Sequence, residues 1–340
     1  MTASIVITAP GFSTTVQDAG RGTQQSLGVP PSGVMDPLAM AAANALVGNP
    51  ADAAVLEFCH VGPGFEVGDA PLRAAIVGGD AAIRRGDGEI VPANRSVVLQ
   101  PGETVALRAP QSAVYAVLAL SGGIDVPEVM GSRSTFLRGA FGGLDGRPLA
   151  AGDTLRAEAA DLALADQELA GDLPYGEGPL RVVLGPQADY FDDDSLAAFL
   201  SGEYRITRES DRMGMRLDGA PLSHVQGYDI ATDGVVNGSI QVPGNGLPVL
   251  LLRDRQTTGG YPKIASVVSA DLPRLGAMRP GDVVRFAAVG IDEAVALRRA
   301  QQQRLDELCR SLRPVRRFGA VDLAALMSEN LISGVVAGDE

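Results

Sequence analysis

The apolar runs of this chain are short, and glycine and proline keep cutting them. Of its 340 residues 42 are glycine and 22 are proline, and the longest apolar run, residues 113–120, stops at Ser121. Runs of about four to eight residues rich in Val, Ile and Leu, bounded by turn pairs, are the pattern of strands rather than helices. Turn pairs of this kind are Asp87-Gly88, Pro101-Gly102 and Pro280-Gly281. The spacing predicts strands over residues 4–8, 73–77, 96–99, 104–107, 114–120, 180–184, 240–242, 249–252, 264–268 and 282–286. Many short strands favour barrels or sandwiches over a doubly wound α/β sheet, so the chain reads as mainly β. The same runs fall far short of the ~20 residues that a membrane span requires.

Helices are few and have clear stops. Asp36 can cap a helix that starts at Pro37, where the missing amide costs nothing, and that Gly48 ends. Its inner face would carry Leu38, Ala42, Ala45 and Leu46. A second short helix is expected over 192–200, with carboxylates at its positive end. A longer one is expected over 292–312, with Val295, Leu305, Leu308 and Leu312 on one side and Arg and Gln on a solvent face. A chain of this length suggests about two domains. A weak repeat supports the division: Ala151-Gly152-Asp153-Thr154-Leu155-Arg156 resembles Pro280-Gly281-Asp282-Val283-Val284-Arg285. Each copy reads as a turn followed by the closing strand of a barrel. Residues 157–178 are the most linker-like stretch. The expected units are therefore 1–175, 176–290, and a C-terminal helix and tail over 291–340, with a further short helix over 321–329.

Charge and composition remove several classes of function. There are 28 basic against 41 acidic side chains, a net charge of −13 and a pI near 4.7, so neither nucleic acid nor an anionic membrane is an expected partner. With 9 Phe, 6 Tyr and no Trp, base-stacking platforms are unsupported. Cys59 and Cys309 are too few for a disulfide scaffold or a thiolate zinc site, and His60 and His224 are too few for a three-His centre, so no metal is expected. The N-terminus carries no signal-peptide pattern, and a cytoplasmic protein is expected. No phosphate-binding G-x-x-x-x-G-K-[ST] loop, no G-x-G-x-x-G, no H-E-x-x-H and no G-x-S-x-G occurs. Lys263, the single lysine, sits in Tyr-Pro-Lys-Ile rather than the Met-Lys-Met of a biotinyl carrier. The chain therefore reads as having no ATP site and no attached biotin.

What remains are glycine-rich polar strings that make poor core. They are Thr15-Val16-Gln17-Asp18-Ala19-Gly20-Arg21, Gly131-Ser132-Arg133-Ser134-Thr135, Glu209-Ser210-Asp211-Arg212-Met213-Gly214, and Gln256-Thr257-Thr258-Gly259-Gly260-Tyr261-Pro262-Lys263. Glycines let backbone approach a ligand, and arginine forks suit planar carboxylate or ureido groups. Each string also has an ordinary structural explanation: a surface ion pair for Asp211-Arg212, a hairpin loop for Thr257–Gly260, a helix cap for Asp36.

Taken in order, the strings resemble the biotin-dependent carboxyltransferase family that includes the C-type component of 5-oxoprolinase, KipA and allophanate hydrolase subunit 2. The resemblance runs from Pro10-Gly11 and Val16-Gln17-Asp18-Ala19-Gly20-Arg21 through Met35-Asp36, Leu56-Glu57 and Gly131–Thr135. It continues over Ser210-Asp211-Arg212-Met213-Gly214, Gln241-Val242-Pro243, Asp254 and Thr257–Pro262 to Pro280–Phe286. It implies two cyclophilin-like β-barrel domains and a partner, a KipI-related B-type subunit, with an A-type subunit in a 5-oxoprolinase. Such a complex opens 5-oxo-L-proline to L-glutamate with ATP, and biotin would ride on a partner. Carboxyl transfer from a ureido ring requires donors to the ureido oxygen and a held acceptor. On that basis Lys263, Arg212 and Asp211 are the catalytic candidates. Thr257, Thr258, Gly259, Gly260 and Tyr261, with Gln17, Asp18, Arg21, Arg133 and Ser134, are the candidates for binding substrate or biotin. Asp211, Arg212, Thr257, Thr258 and Lys263 are expected in one cleft. A KipA-like regulator, the carboxyltransferase half of a urea or amide carboxylase, and a binding barrel without catalysis stay open as alternatives.

Overall fold

Three sheets account for nearly all the predicted strands. The structure, a computed structural model, describes residues 2–315; the helix expected over 321–329 lies outside them. A six-stranded sheet has the spatial order Thr154–Glu158, Thr2–Ala9, Gly64–Val67, Thr104–Arg108, Ala82–Arg85, Ile90–Pro92. A seven-stranded sheet runs Phe12–Gln17, Val55–Cys59, Tyr115–Leu120, Leu72–Val77, Arg95–Leu99, Gln167–Glu168, Arg313–Pro314. Between them lies one core, in which Ile5, Ile7, Phe65, Ile83 and Leu155 from the first sheet meet Leu56, Phe58, Ala74, Ile76 and Leu118 from the second. Strands alternate their side chains, so the other face of the seven-stranded sheet carries Val55, Ala75, Val77, Val117 and Ala119. Helix α1, Pro37–Val47, covers that face, which is why Leu72–Val77 is buried at every position.

The caps of α1 are those the sequence predicts. Asp36 accepts from the amides of Leu38 (3.0 Å) and Ala39 (3.1 Å), and Gly48 ends the helix at φ +80°. Its burial differs from the expected single face. Every residue from Leu38 to Val47 except Ala45 is buried, because the sheet packs on one side while Leu305 of α3, Ile291–Arg310, packs against Leu38 and Ala41 on the other. On α3 the expected apolar side is also revised. Leu305 is buried, whereas Val295 is exposed and Gln301 is buried, donating to the carbonyls of Pro174 (3.1 Å) and Ala270 (2.6 Å).

The second unit is one eight-stranded sheet: Val283–Val284, Tyr204–Ile206, Gly214–Asp218, Val249–Leu251, Ser239–Gln241, Lys263–Val267, Leu180–Leu184, Phe286–Ala288. The strand expected over 282–286 is broken at Arg285, for a geometric reason. Its first half pairs with Tyr204–Ile206 at one end of the sheet, and its continuation pairs with Leu180–Leu184 at the other. A single segment thus closes the sheet on itself and leaves few free edges. Inside are Leu180, Val182, Ile240, Leu250 and Ile264 with Phe199 stacked on Phe286 at 4.6 Å; Phe199 comes from helix α2, Asp193–Ser201, which Asp192 caps. The mainly β, barrel-type reading holds.

The repeat is also real at atomic level. Gly152 (φ +91°) donates to Ile7 O at 2.7 Å while Asp153 Oδ2 accepts from Ala150 N at 2.7 Å. Gly281 (φ +96°) donates to Ile206 O at 2.8 Å while Asp282 Oδ2 accepts from Arg279 N at 2.8 Å. A third copy, not singled out in the sequence, is Gln100-Pro101-Gly102-Glu103: Gly102 donates to Val67 O at 2.9 Å and Glu103 Oε2 accepts from Gln100 N at 2.9 Å. In each, a left-handed glycine turns the chain and an acid locks the turn before the next strand enters.

Candidate functional site

Strand alternation decides where Glu57, the acid of the Leu56-Glu57 string, points. In Val55–Cys59, Leu56 and Phe58 face the core, so Glu57 faces the other way, toward the second unit. There it meets Arg212. The guanidinium donates to Glu57 Oε1, to Gly33 O (2.6 Å) and to both oxygens of Asp254 (2.8 and 3.2 Å). Glu57 Oε2 accepts from Met35 N at 2.5 Å, and the Met35 side chain is packed in the second unit's core. Burial pushes Glu57 up from the usual carboxylate range, against the pull of Arg212. Burial also works against the charge on Arg212, but Glu57 and Asp254 outweigh it and hold its pKa above that of free arginine. Arg212 is therefore no free clamp for an acceptor. It ties the two units together.

Asp36 lies beside this cluster. Its Oδ2 accepts from the Tyr175 hydroxyl, and burial raises its pKa from 3.8 to about 6 against the helix-cap hydrogen bonds. The folded state thus favours the protonated carboxyl. Its stabilising contribution is complete below pH ~3.8 and is lost as pH rises through about 6. Asp36→Asn keeps a capping side chain and removes the titration. The stability of the native chain relative to this variant should fall by ~1–2 kcal/mol between pH 5 and pH 8, read from denaturant midpoints. A constant difference across that range would contradict the assignment.

The N-terminal candidates form a structural knot. Asp18 Oδ1 accepts from Gly20 N (2.8 Å), Ser132 Oγ (2.6 Å) and Ser134 Oγ (2.5 Å), and its Oδ2 accepts from Arg133 N (2.6 Å). Gln17 is fully buried and donates to Thr15 Oγ1 and Thr135 O. Arg133 holds Val126 O (3.0 Å) and Glu128 (2.7 Å). Arg21, 1% exposed, donates to Ser134 O and lies 5.0 Å over the ring of Phe141. None of the five lines the cleft described next: Gln17, Asp18, Arg21 and Ser134 tie residues 132–142 to the end of the strand Phe12–Gln17, and the Arg133 side chain is held on Val126 and Glu128. Asp18→Ala should cost about 3 kcal/mol, since it strands buried donors at once; an unchanged unfolding midpoint would contradict this.

Residues 132–142 carry Arg138, and Arg138 forms one wall of a cleft of about 810 Å³. The rest of the lining belongs to the second barrel. Inward positions Met215, Leu217, Ile240 and Leu250 fill the core, so Arg216, Gln241, Val249 and Leu251 lie on the outer face and line the cleft. Asp211 and Tyr261 line it as well. The Asp211 carboxylate accepts from the amides of Met213 (2.7 Å) and Gly214 (3.2 Å) and sits 3.5 Å from Arg138. Next to Tyr261, Thr258–Gly259 pairs with Asp233–Gly234 as a short ribbon, and the Thr257 and Thr258 hydroxyls make no hydrogen bond among the described residues. Gln241 donates to Tyr261 O and accepts from Gln256 Nε2, both at 3.4 Å.

Lys263 is not in the cleft lining. It is 4% exposed, with Nζ 2.8 Å from Asp233 Oδ2, so its ammonium fastens the ribbon partner of Thr258–Gly259. The expectation that Asp211, Arg212, Thr257, Thr258 and Lys263 share one cleft is thus corrected: Asp211 lines it, the 257–261 loop borders it, and Lys263 and Arg212 are held by carboxylates elsewhere. Arg138, Thr207, Arg208, Arg216 and Gln256 complete the site without having been singled out as candidates. One signal was available: Val249-Leu250-Leu251-Leu252 is apolar at outward as well as inward positions, which marks a covered outer face. The two cysteines and two histidines add no chemistry. Burial pushes the Cys59 thiol up to about 12, His224 Nε2 lies 3.0 Å from Val242 O, and no metal-binding group of three such side chains exists among the described residues.

A two-sheet β unit and a nearly closed barrel unit joined by a buried ion cluster, with a polar cleft on the outer face of the second, fit the carboxyltransferase class to which the strings point. Residues 27–288 match the model of the carboxyltransferase domain, subdomain A and B, and the chain belongs to this family. It is 35% identical to the C-type component of 5-oxoprolinase from Escherichia coli (strain K12), across 88% of this chain and 95% of that one. It is 33% identical to the same component from Haemophilus influenzae, across 87% and 94%. Among solved structures, the Kluyveromyces lactis urea amidolyase superposes with a TM-score of 0.81 at 28% identity, covering 90% of this chain but 20% of that much longer one. No helix of the described residues is long and apolar enough to cross a membrane.

Proposed function

We propose that the chain is the C-type subunit of a 5-oxoprolinase, acting with a KipI-related B-type subunit and an A-type subunit in the ATP-dependent opening of 5-oxo-L-proline to L-glutamate. The observation that carries this reading is the match of 88% of this chain to 95% of the length of the C-type component of that enzyme. ATP would be used on a partner, since this sequence has no phosphate-binding loop. Biotin would also be carried by a partner, because the one lysine is buried in an ion pair rather than displayed for attachment.

The donor set around the cleft fits a ureido group. The carboxamides of Gln241 and Gln256, the Tyr261 hydroxyl and the unpartnered Thr257 and Thr258 hydroxyls offer both donors and acceptors within one loop and its neighbouring strand. When bound, biotin supplies the activated carboxyl group. This chain's part is to orient the ring and the acceptor and to hold developing negative charge with fixed donors. Lys263 acts in this scheme by fixing the 233–234 and 258–259 ribbon, and Arg212 by fixing the units. Both are positioning residues.

A second reading, urea or another small amide as acceptor, is favoured by the likeness to urea amidolyase. Co-purification with the B-type product followed by ATP turnover separates the two. Stimulation by 5-oxoproline and not by urea supports the first reading; stimulation by urea alone replaces it with the second.

A further inference from the structure

The rim of the cleft is rich in ion pairs, with two exceptions among the described residues, Arg208 and the carboxylate of Asp218. Arg138 lies 3.5 Å from Asp211 and Arg216 lies 3.6 Å from Glu209, both loose and more than half exposed. Such pairs contribute little and exchange readily with solvent or a ligand. Arg208 lines the same cleft and makes neither an ion pair nor a hydrogen bond among the described residues. Beside it is a second unsatisfied group. Thr207 also lines the cleft, its amide donates to Arg216 O at 2.9 Å, and its Oγ1 is buried with no partner. A buried hydroxyl without a partner is costly unless a ligand or water completes it.

The remaining surface is of a different kind. Leu247, Pro248, Val249 and Leu251 make an apolar bed, and the Gln241 and Gln256 carboxamides stand beside it. An unpaired guanidinium, an apolar bed and a pair of carboxamides match three features of one ligand class: a carboxylate, a small saturated ring and a ring amide. Urea carries an amide only and would leave Arg208 and the bed unused.

We propose that Arg208, aided by Thr207 Oγ1, is the carboxylate-recognition point of this cleft and makes it selective for a small cyclic amide acid over neutral amides. The ligand class, and with it the choice of 5-oxoproline as probe, rests on the function proposed above; the role of Arg208 rests on the cleft itself. A guanidinium–carboxylate contact is a charge-assisted hydrogen bond with directional forks, so its loss should be read directly in affinity.

The experiment titrates the full chain with 5-oxo-L-proline, 2-pyrrolidinone (the same ring without the carboxylate) and urea, by calorimetry or ligand-observed NMR. Native chain should prefer 5-oxoproline. Arg208→Gln should weaken it about 10–100-fold and leave 2-pyrrolidinone unchanged, with Thr207→Val moving in the same direction by less. Both exchanges lie at the surface or preserve shape, and an unaltered unfolding midpoint confirms that folding is retained. Equal binding of 5-oxoproline by native and Arg208→Gln chains, or equal binding of 5-oxoproline and 2-pyrrolidinone by the native chain, overturns the proposal. Failure of the functional reading looks different: a complex that does not open 5-oxoproline although the chain binds it through Arg208 overturns the reading and leaves this site standing.

Discussion

Arg212→Ala is expected to destabilise the chain by about 3–5 kcal/mol, measured as a fall in the denaturant midpoint. The reason is what it leaves behind. Glu57 and Asp254 are both buried, and each has its charge balanced by the same guanidinium. Removing one partner of a buried ion group strands the others in a poorly solvating interior, which is the costly case. The Gly33 carbonyl, held at 2.6 Å, is released as well, so the loop that seats Met35 in the second core loses its anchor. Loss of activity alone would be uninformative in this variant. Adding Glu57→Gln to Arg212→Ala provides the control: it removes one stranded charge and should recover part of the loss. Full stability of Arg212→Ala would show that the ion cluster does not join the units.

Gly142→Ala should be comparably severe, although it adds only a methyl group. Gly142 has φ +72°, and a Cβ there would sit 2.1 Å from Ser134 O and 2.8 Å from Arg21 Nη2. The carbonyl belongs to the knot that Asp18 and Arg21 hold, so it has little room to yield. Left-handed strain and a backbone clash act together, and a loss above about 3 kcal/mol is expected. The disturbance should also reach the cleft, because Arg138 is carried between Ser134 and Gly142. A reduced unfolding midpoint with lowered turnover is the predicted pair of results. An unchanged midpoint would mean that the loop rearranges freely and that the knot does not set the wall of the cleft.

The parts of the structure that were legible in the sequence are those fixed by short-range chemistry. Asp36-Pro37 and Gly48 delimit α1 because caps depend on neighbouring backbone alone. Short Val-rich runs between turns became strands for the same reason, and the Gly-Asp repeat became the same turn in both units. The misreadings concern what lies opposite a residue. The inner face expected for α1 includes Ala45 and not Ala41, yet Ala41 is buried with Leu38 against Leu305, because α3 arrives from about 250 residues later in the chain. Arg212 and Lys263 read as unpaired cations because nothing nearby in the sequence shows that Glu57, Asp254 and Asp233 will pair with them. The family strings did collect real structure: Glu57, Arg212 and Asp254 all belong to them and meet in one cluster. What the strings could not separate was holding a ligand from holding the units in place. Arg138 and Arg208 sit in stretches without any motif, and only the packing of a loop against an outer barrel face makes them neighbours.

The measurement that bears most directly on the central claim is an omission assay. The A-type and B-type subunits are combined with ATP, bicarbonate and 5-oxo-L-proline, with and without this chain, and released glutamate is followed. Glutamate should form at a substantial rate only when all three proteins are present, and no glutamate should form with this chain alone. Equal glutamate release with and without the chain would contradict its assignment to the 5-oxoproline-opening complex.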